Sequence, residues 1–442
     1  MSDRIDRDTA TRLTATEAAA AIASGALDAE TLARGCLDKM AAREDVLKAW
    51  AYVDPAAVLR QARELDQTPS FGLLHGIPVA IKDVIDTRDM PTCHNSPIFF
   101  GHRPGADAGC VETLRAAGAL IIGKTETTEF AAAGRHPPTR NPHDPRRISG
   151  GSSAGSAAAV GDGQVPLALG TQTGGSLIRP ASFCGAYACK PTWGAVSREG
   201  ARVYSITLDT IGWYGRSVAD LDLMAEVYGI GRAQPAPASL DGVRIAFCRS
   251  PAWAATEPAM RDAFAAAERI LTDAGATVTT LELPEAFSGL AAAHQVILFR
   301  EGRAAFLNLY RAHKDLLHDE FRHRVENRDG FTDQALVAAY DLAARCRTEF
   351  DAIASGFDAI VTPSAPGEAP MGIGGGSPAL NLIWTLLHVP CINLPAMRSP
   401  AGMPLGLTVT GPRFSDRRLL ACAKVLDQAF IAKQPQGQGK VA

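Results

Sequence analysis

Apolar residues recur every three to four positions between residues 14 and 65, amid Ala, Leu, Glu and Arg, and this spacing predicts amphipathic helices. They form an N-terminal helical layer over residues 1–65, packed on the core. From Gly76 the pattern changes. GIPVAIKDVIDT concentrates β-branched residues between turn signals, VETLRAAGA returns to a helical period, and ALIIGK is a short apolar run. Strand, helix, strand predicts a parallel sheet. Residues 135–155, RHPPTRNPHDPRRISGGSSAG, are dense in Pro, Gly, Asn and Ser and predict irregular backbone. A helix over residues 156–160 and a strand over 165–170 separate this loop from a second glycine cluster, so two Gly-rich segments can face each other. Further on, VRIAF, an Ala-rich helix over 257–275 with Asp262, Glu268 and Arg269 on its polar face, and TVTTLEL make a βαβ unit. Residues 290–355 predict two or three helices. DAIVTPS, PCINLPA and LGLTVTG predict strands before a final helix over 416–430. The pattern predicts an α/β fold in a single large domain: a mixed, mostly parallel β-sheet covered by helices on both faces. Residues 66–230 form its core, and 231–442 the remainder, with a helical elaboration at about 290–355.

Charge and composition narrow the function classes. The 44 Lys and Arg against 47 Asp and Glu leave a net charge of −3, which excludes the broad basic field of a nucleic-acid or anionic-membrane binder. No apolar run reaches the ~18 residues of a bilayer span, and the opening MSDRIDRDTA is charged where a secretory leader is apolar. A cytoplasmic protein is expected. Nine cysteines without short paired spacing read as reduced thiols. His94, His102, His136 and His143 share one stretch without the spacing of metal ligands, so no metal is expected.

Two segments carry candidate chemistry: SGGSSAGSAAAV from Ser149 and GTQTGGSLIRPAS from Gly170. Neither matches a phosphate-binding loop or a dinucleotide fingerprint. Ser176, flanked by glycines, suits a nucleophile, because glycine lets backbone N–H groups approach a developing oxyanion. No histidine lies near either segment to serve as its base. Lys82 follows the apolar run VAI, and a lysine desolvated at a strand end can lose its proton and act as a base. Its alternative is a salt bridge to Asp83 or Asp86. Ser156 reads as a helix cap, and Trp384 and Phe130 read as core or as pocket lining.

Lys82 in GIPVAIKDVIDT, Ser152 in GGSSAGSAAAV and Ser176 in GTQTGGSLIRPASFCG together resemble the amidase signature family, which carries a Ser-Ser-Lys triad at these places. GKTETTEFA and PLGLTVTGPRFSDRRLL extend the likeness over most of the chain; residues 290–355 contribute least. The resemblance implies an amidase, a hydrolase of carbon–nitrogen bonds other than peptide bonds, working without metal or organic cofactor. It implies that Ser152 follows a cis peptide bond from Gly151. Neutral Lys82 would take a proton from Ser152 while Ser152 takes one from Ser176, forming a serine acyl-enzyme. The N–H groups of Thr173, Gly174, Gly175 and Ser176 would form the oxyanion hole. Ser153 and Thr173 would steady the lysine and the loop, or else satisfy turn backbone.

Arg179 departs from the commoner family pattern, standing three places after the nucleophile instead of two, with Gln172 where many relatives carry Asp. This stretch resembles malonamidase, in which an arginine holds the substrate's free carboxylate; the alternative is a buried structural ion pair. The expected function is therefore cleavage of a small amide, one bearing a carboxylate if Arg179 binds it. The amide is the expected partner, with no nucleic acid or membrane, and a homodimer is the default assembly. The alternative is the amidase subunit of a tRNA-dependent glutamine amidotransferase. A non-catalytic binding module would require a broken triad, and all three residues are present.

Overall fold

Side-chain caps start the N-terminal helices Arg7–Arg12 (α1), Ala15–Ala23 (α2), Ala29–Leu47 (α3) and Pro55–Asp66 (α4): Asp6, Thr14, Asp28 and Asp54 each accept from an N–H of the first turn. Thr14 and Glu17 close a reciprocal capping box. A strand, Trp50–Tyr52 (β1), interrupts this layer and is too short to leave a period in the sequence. The computed structural model describes residues 4–433.

The signature region contains Pro78–Lys82 (β2), Gly109–Ala116 (α5), Leu120–Thr125 (β3), Ala154–Gly161 (α6) and Leu167–Gln172 (β4). Ile178–Cys184 (α7), Tyr187–Lys190 (β5), Thr210–Gly215 (β6) and Val218–Val227 (α8) complete it. The expected βαβ unit is Arg244–Cys248 (β7), Pro258–Asp273 (α9) and Thr277–Leu281 (β8). Met260, Ala263, Phe264, Ala267 and Leu271 form the buried stripe of α9, at the spacing of one helix face. Three helices follow, Leu290–His313 (α10), Asp319–Glu326 (α11) and Asp333–Ala354 (α12). The chain closes with Ala359–Pro363 (β9), Leu382–Leu386 (α13), Cys391–Arg398 (β10), Pro404–Thr410 (β11) and Asp416–Lys433 (α14).

The eleven strands among the described residues join one mixed sheet, in the order β1-β3-β2-β4-β6-β5-β10-β11-β9-β7-β8. The expectation of a mostly parallel sheet holds for β3-β2-β4 and for β9-β7-β8, where helices make the crossovers. It gives way between them, where every pairing from β4 to β9 is antiparallel. The turn between β10 and β11 is too short for a crossover, so that pair must run antiparallel. The inner strands β2, β3, β4 and β6 are buried along their whole length, which is why β2, β3 and the start of β4 read as apolar runs. Exposed Thr277, Thr279 and Thr280 keep the edge strand β8 polar. Phe130 packs in a cluster with Tyr204, Phe306 and Phe321, and Trp384 stacks edge-on against Phe350, so both are core residues. No helix among the described residues is long and apolar enough to cross a membrane.

Parallel pairing positions the site. Val79 is opposite Leu167 and Ala80 opposite Ala168, so the carboxyl ends of β2 and β4 emerge side by side, where ligand sites form in α/β sheets.

Candidate active site

At the end of β2, Lys82 is fully buried, with Nζ 2.7 Å from Ser152 Oγ, 2.9 Å from Ser153 Oγ and 2.6 Å from Thr171 Oγ1. The register of β2 and β4 brings Lys82 to Thr171, and the loop entering α6 brings both serines over the strand ends. Strand alternation turns the neighbouring residue the other way. Asp83 therefore pairs with Lys124 at 3.3 Å, and Asp86 also feels Lys124, so among the described residues no carboxylate forms an ion pair with Lys82. Among the described residues two other lysines are equally buried, but Lys124 holds Asp83 and Lys190 donates to the carbonyls of Pro191 and Val389. Burial pushes the Lys82 ammonium well below its usual pKa; the buried carboxyl of Asp209 opposes the shift.

Ser176 stands half-buried between β4 and α7, facing the first Gly-rich segment: Ser153 N–H donates to Ser176 C=O at 3.2 Å. The approach is close enough that a Cβ on Gly151 would lie 2.8 Å from Ser176 Cα, and one on Gly175 would lie 2.4 Å from Asn381 Oδ1. Glycine is required at both. The N–H groups of Gly174, Gly175 and Ser176 donate to no described acceptor, whereas the carbonyls of this segment are all held. Thr173 C=O accepts from His294 Nε2 at 2.8 Å, Gly174 C=O from Thr385 Oγ1 at 2.7 Å, and Gly175 C=O from Arg179 N–H at 3.1 Å. Thr173 Oγ1 donates to Asp209 Oδ1 at 2.6 Å. Gln172 Oε1 accepts from the N–H groups of Leu177 and Ile178, holding the start of α7.

Three expectations change. The described residues contain no cis peptide bond, so Gly151–Ser152 is trans. The chain turns instead at Gly150, whose φ is +91°, and Gly151 N–H is anchored on Gly375 C=O at 3.0 Å. Ser156 is not a cap: it lies inside α6, and its hydroxyl joins Leu169 C=O and Thr125 Oγ1, tying the helix to β4 and β3. Ser153 occupies the cap position, but its side chain serves Lys82. The structural ion pair offered for Arg179 is absent among the described residues. Arg179 is buried on α7, its Nε and Nη1 have no hydrogen-bond partner, and burial pushes its pKa down to about 10. Its Nη2 lies 3.2 Å from where a Cβ on Gly151 would stand.

Sequence reasoning missed Thr171, Asp209, His294 and Thr385. Thr171 sits within the second Gly-rich segment, three residues before Gly174, and its place at a strand end beside that of Lys82 was the available signal. Asp209, His294 and Thr385 lie 33, 118 and 209 residues after Ser176, and nothing in their local sequence points to the site.

A sheet of this order, with a buried lysine among hydroxyls under a Gly-rich serine loop, is an amidase architecture. Residues 31–420 match the Amidase family, and the chain belongs to it. It is therefore a hydrolase of carbon–nitrogen bonds. A glutamyl-tRNA(Gln) amidotransferase subunit of Chloroflexus aurantiacus is 34% identical over 461 residues, covering 92% of this chain and 94% of the relative. Its counterpart of the same name in Acidothermus cellulolyticus is 33% identical, covering 97% and 95%. A solved amidase superposes with a TM-score of 0.85 at 28% identity, covering 94% of this chain and 99% of that one. The native peptide amidase of Stenotrophomonas maltophilia gives 0.80 at 28%, covering 96% and 98%. These relatives bear the names of amidotransferase subunits or of amidases, so the likeness to malonamidase rests on Gln172 and the SLIRP stretch alone.

Proposed function

We propose that this amidase hydrolyses a small amide bearing a carboxylate through an acyl-enzyme on Ser176. The observation that carries the reading is Lys82 Nζ, fully buried and in no ion pair among the described residues, at 2.7 Å from Ser152 Oγ. Ser153 Oγ gives its own hydrogen to Thr171 C=O at 3.1 Å, so it can only accept from Lys82. A neutral amine then keeps a lone pair for Ser152. Lys82 takes the proton of Ser152 as Ser152 takes that of Ser176, and Ser176 Oγ attacks the amide carbon. The free N–H groups of Gly174, Gly175 and Ser176, with that of Thr173, receive the oxyanion. The carbon–nitrogen bond breaks as Ser152 returns a proton to the leaving amine, and water repeats the cycle to release the acid. Arg179, buried with two unpartnered nitrogens, offers its fork to the substrate's carboxylate.

A second reading draws on the relatives' names. L-Glutamine is also a primary amide bearing a carboxylate, and an amidotransferase subunit would hand its ammonia to a partner. The same residues serve both readings; the fate of ammonia separates them. Ammonia release by the purified chain from malonamate, L-glutamine and propionamide is the test. Free release from malonamate supports the hydrolase, and glutamine turnover that needs a co-purifying subunit supports the second reading. Ser176→Ala should lower turnover by ~10⁴-fold or more; unchanged turnover overturns both.

A further inference from the structure

The carbonyls behind the nucleophile loop point to a role for residues far outside the signature region. In a trans peptide, C=O and N–H point in opposite directions across one rigid plane, so a bond that fixes the carbonyl also aims the N–H. The Thr173–Gly174 and Gly174–Gly175 planes are fixed in this way from outside the signature region, by His294 on α10 and Thr385 on α13. We propose that His294 and Thr385 are positioning residues that aim the N–H groups of Gly174 and Gly175 at the developing oxyanion. The inference rests on the reading above, in which Ser176 is the nucleophile and these groups receive the charge.

Donor direction follows from the partners. A carbonyl only accepts, so His294 Nε2 carries the hydrogen at Thr173. Burial pushes the imidazole down to about 4, so it holds this bond in its neutral form without bringing a charge to the loop. Gln172 Oε1 is taken by two backbone N–H groups, which turns Nε2 toward Thr385 Oγ1 at 2.9 Å. Thr385 therefore accepts from Gln172 and spends its single hydrogen on Gly174 C=O at 2.7 Å, closer than Asn381 C=O at 3.3 Å. Neither side chain need touch substrate. Each removes the freedom of a glycine-rich segment to rotate its donors away, so that the hole is formed before the charge develops.

The test is acylation of the full chain by 4-nitrophenyl acetate. Ser176 Oγ adds to the ester carbonyl, its proton passes to Ser152 and that of Ser152 to Lys82, and 4-nitrophenolate leaves as the carbon–oxygen bond breaks. His294→Ala and Thr385→Val should each lower kcat by about 10- to 100-fold, less than the ~10²–10³-fold cost of deleting a donor, with KM within threefold of the parent. His294→Gln and Thr385→Ser, which restore a donor, should recover kcat to within about fivefold. His294→Leu replaces the alanine variant if that fails to fold. Unchanged kcat, a loss confined to KM, or no recovery by Gln and Ser overturns the inference while Ser176→Ala remains inert. Acylation that survives Ser176→Ala, or none in the parent, overturns the proposed function itself.

Discussion

An ammonium in water keeps its proton to about pH 10.4, but Lys82 has no solvent contact and only hydroxyls around Nζ, so its charged form is disfavoured. As pH falls through that lowered pKa the amine gains a proton and loses the lone pair facing Ser152. Activity is therefore expected to rise with pH along a single limb set below the ordinary lysine value, and kcat/KM profiles of the free enzyme would report it. The unfolded chain binds this proton up to about pH 10.4 while the folded chain has released it. Between the two values Lys82 makes stability rise with pH. Lys82→Arg should cost ~10²–10⁴-fold in kcat, since a guanidinium stays charged; near-parental rates at pH 8 would remove the lysine base. Arg179→Ala should raise KM for malonamate or glutamine by about 10- to 100-fold, the worth of a hydrogen bond to a charged group, and leave propionamide unchanged. Equal losses on both would assign Arg179 to structure. The Lys82–Ser152 contact was legible because short motifs hold both residues. Arg179 was legible as a residue but not in its surroundings, because an unpaired guanidinium is a fact of tertiary packing.

At the scale of elements, α7 begins where ordinary caps are missing. Leu177 stands at its cap position without a side-chain bond, and Gln172, five residues upstream, accepts from both Leu177 and Ile178. Gln172→Ala would leave two buried N–H groups without an acceptor, so we expect a loss of about 2–4 kcal/mol, measured as a lower urea midpoint. Gln172→Glu keeps the acceptor and should lose less. Long periodic segments were readable: β7, α9 and β8 fall where VRIAF, the Ala-rich stretch and TVTTLEL place them. α7 was not, because glycines and a proline on both sides of Ser176 give no helical period. β5 and β6 escaped too. Each is buried, and Tyr187–Lys190 is only four residues long, so their pairing with β10 and β4 is decided by distant strands.

Across the whole molecule one sheet runs through all three stretches set out from the sequence: β1 before residue 66, β2 to β6 up to 230, β7 to β11 beyond. The cut at 230 would strip β10 from β5, exposing a ladder and the apolar face that α14 covers. A chain ended there is expected to aggregate or to be digested rapidly by trypsin, whereas a protected fragment would mark residues 66–230 as a folding unit of its own.

The held carbonyls also bear on how the protein is made. Ser176 leaves the ribosome 209 residues before Thr385, which is about 10–40 s at ordinary rates of synthesis. Through that interval the Gly174 carbonyl lacks the hydroxyl that holds it. If Ser176 is the nucleophile and Thr385 aims its loop, as proposed, competence for chemistry arrives late in translation, with the serine made long before its cradle is complete.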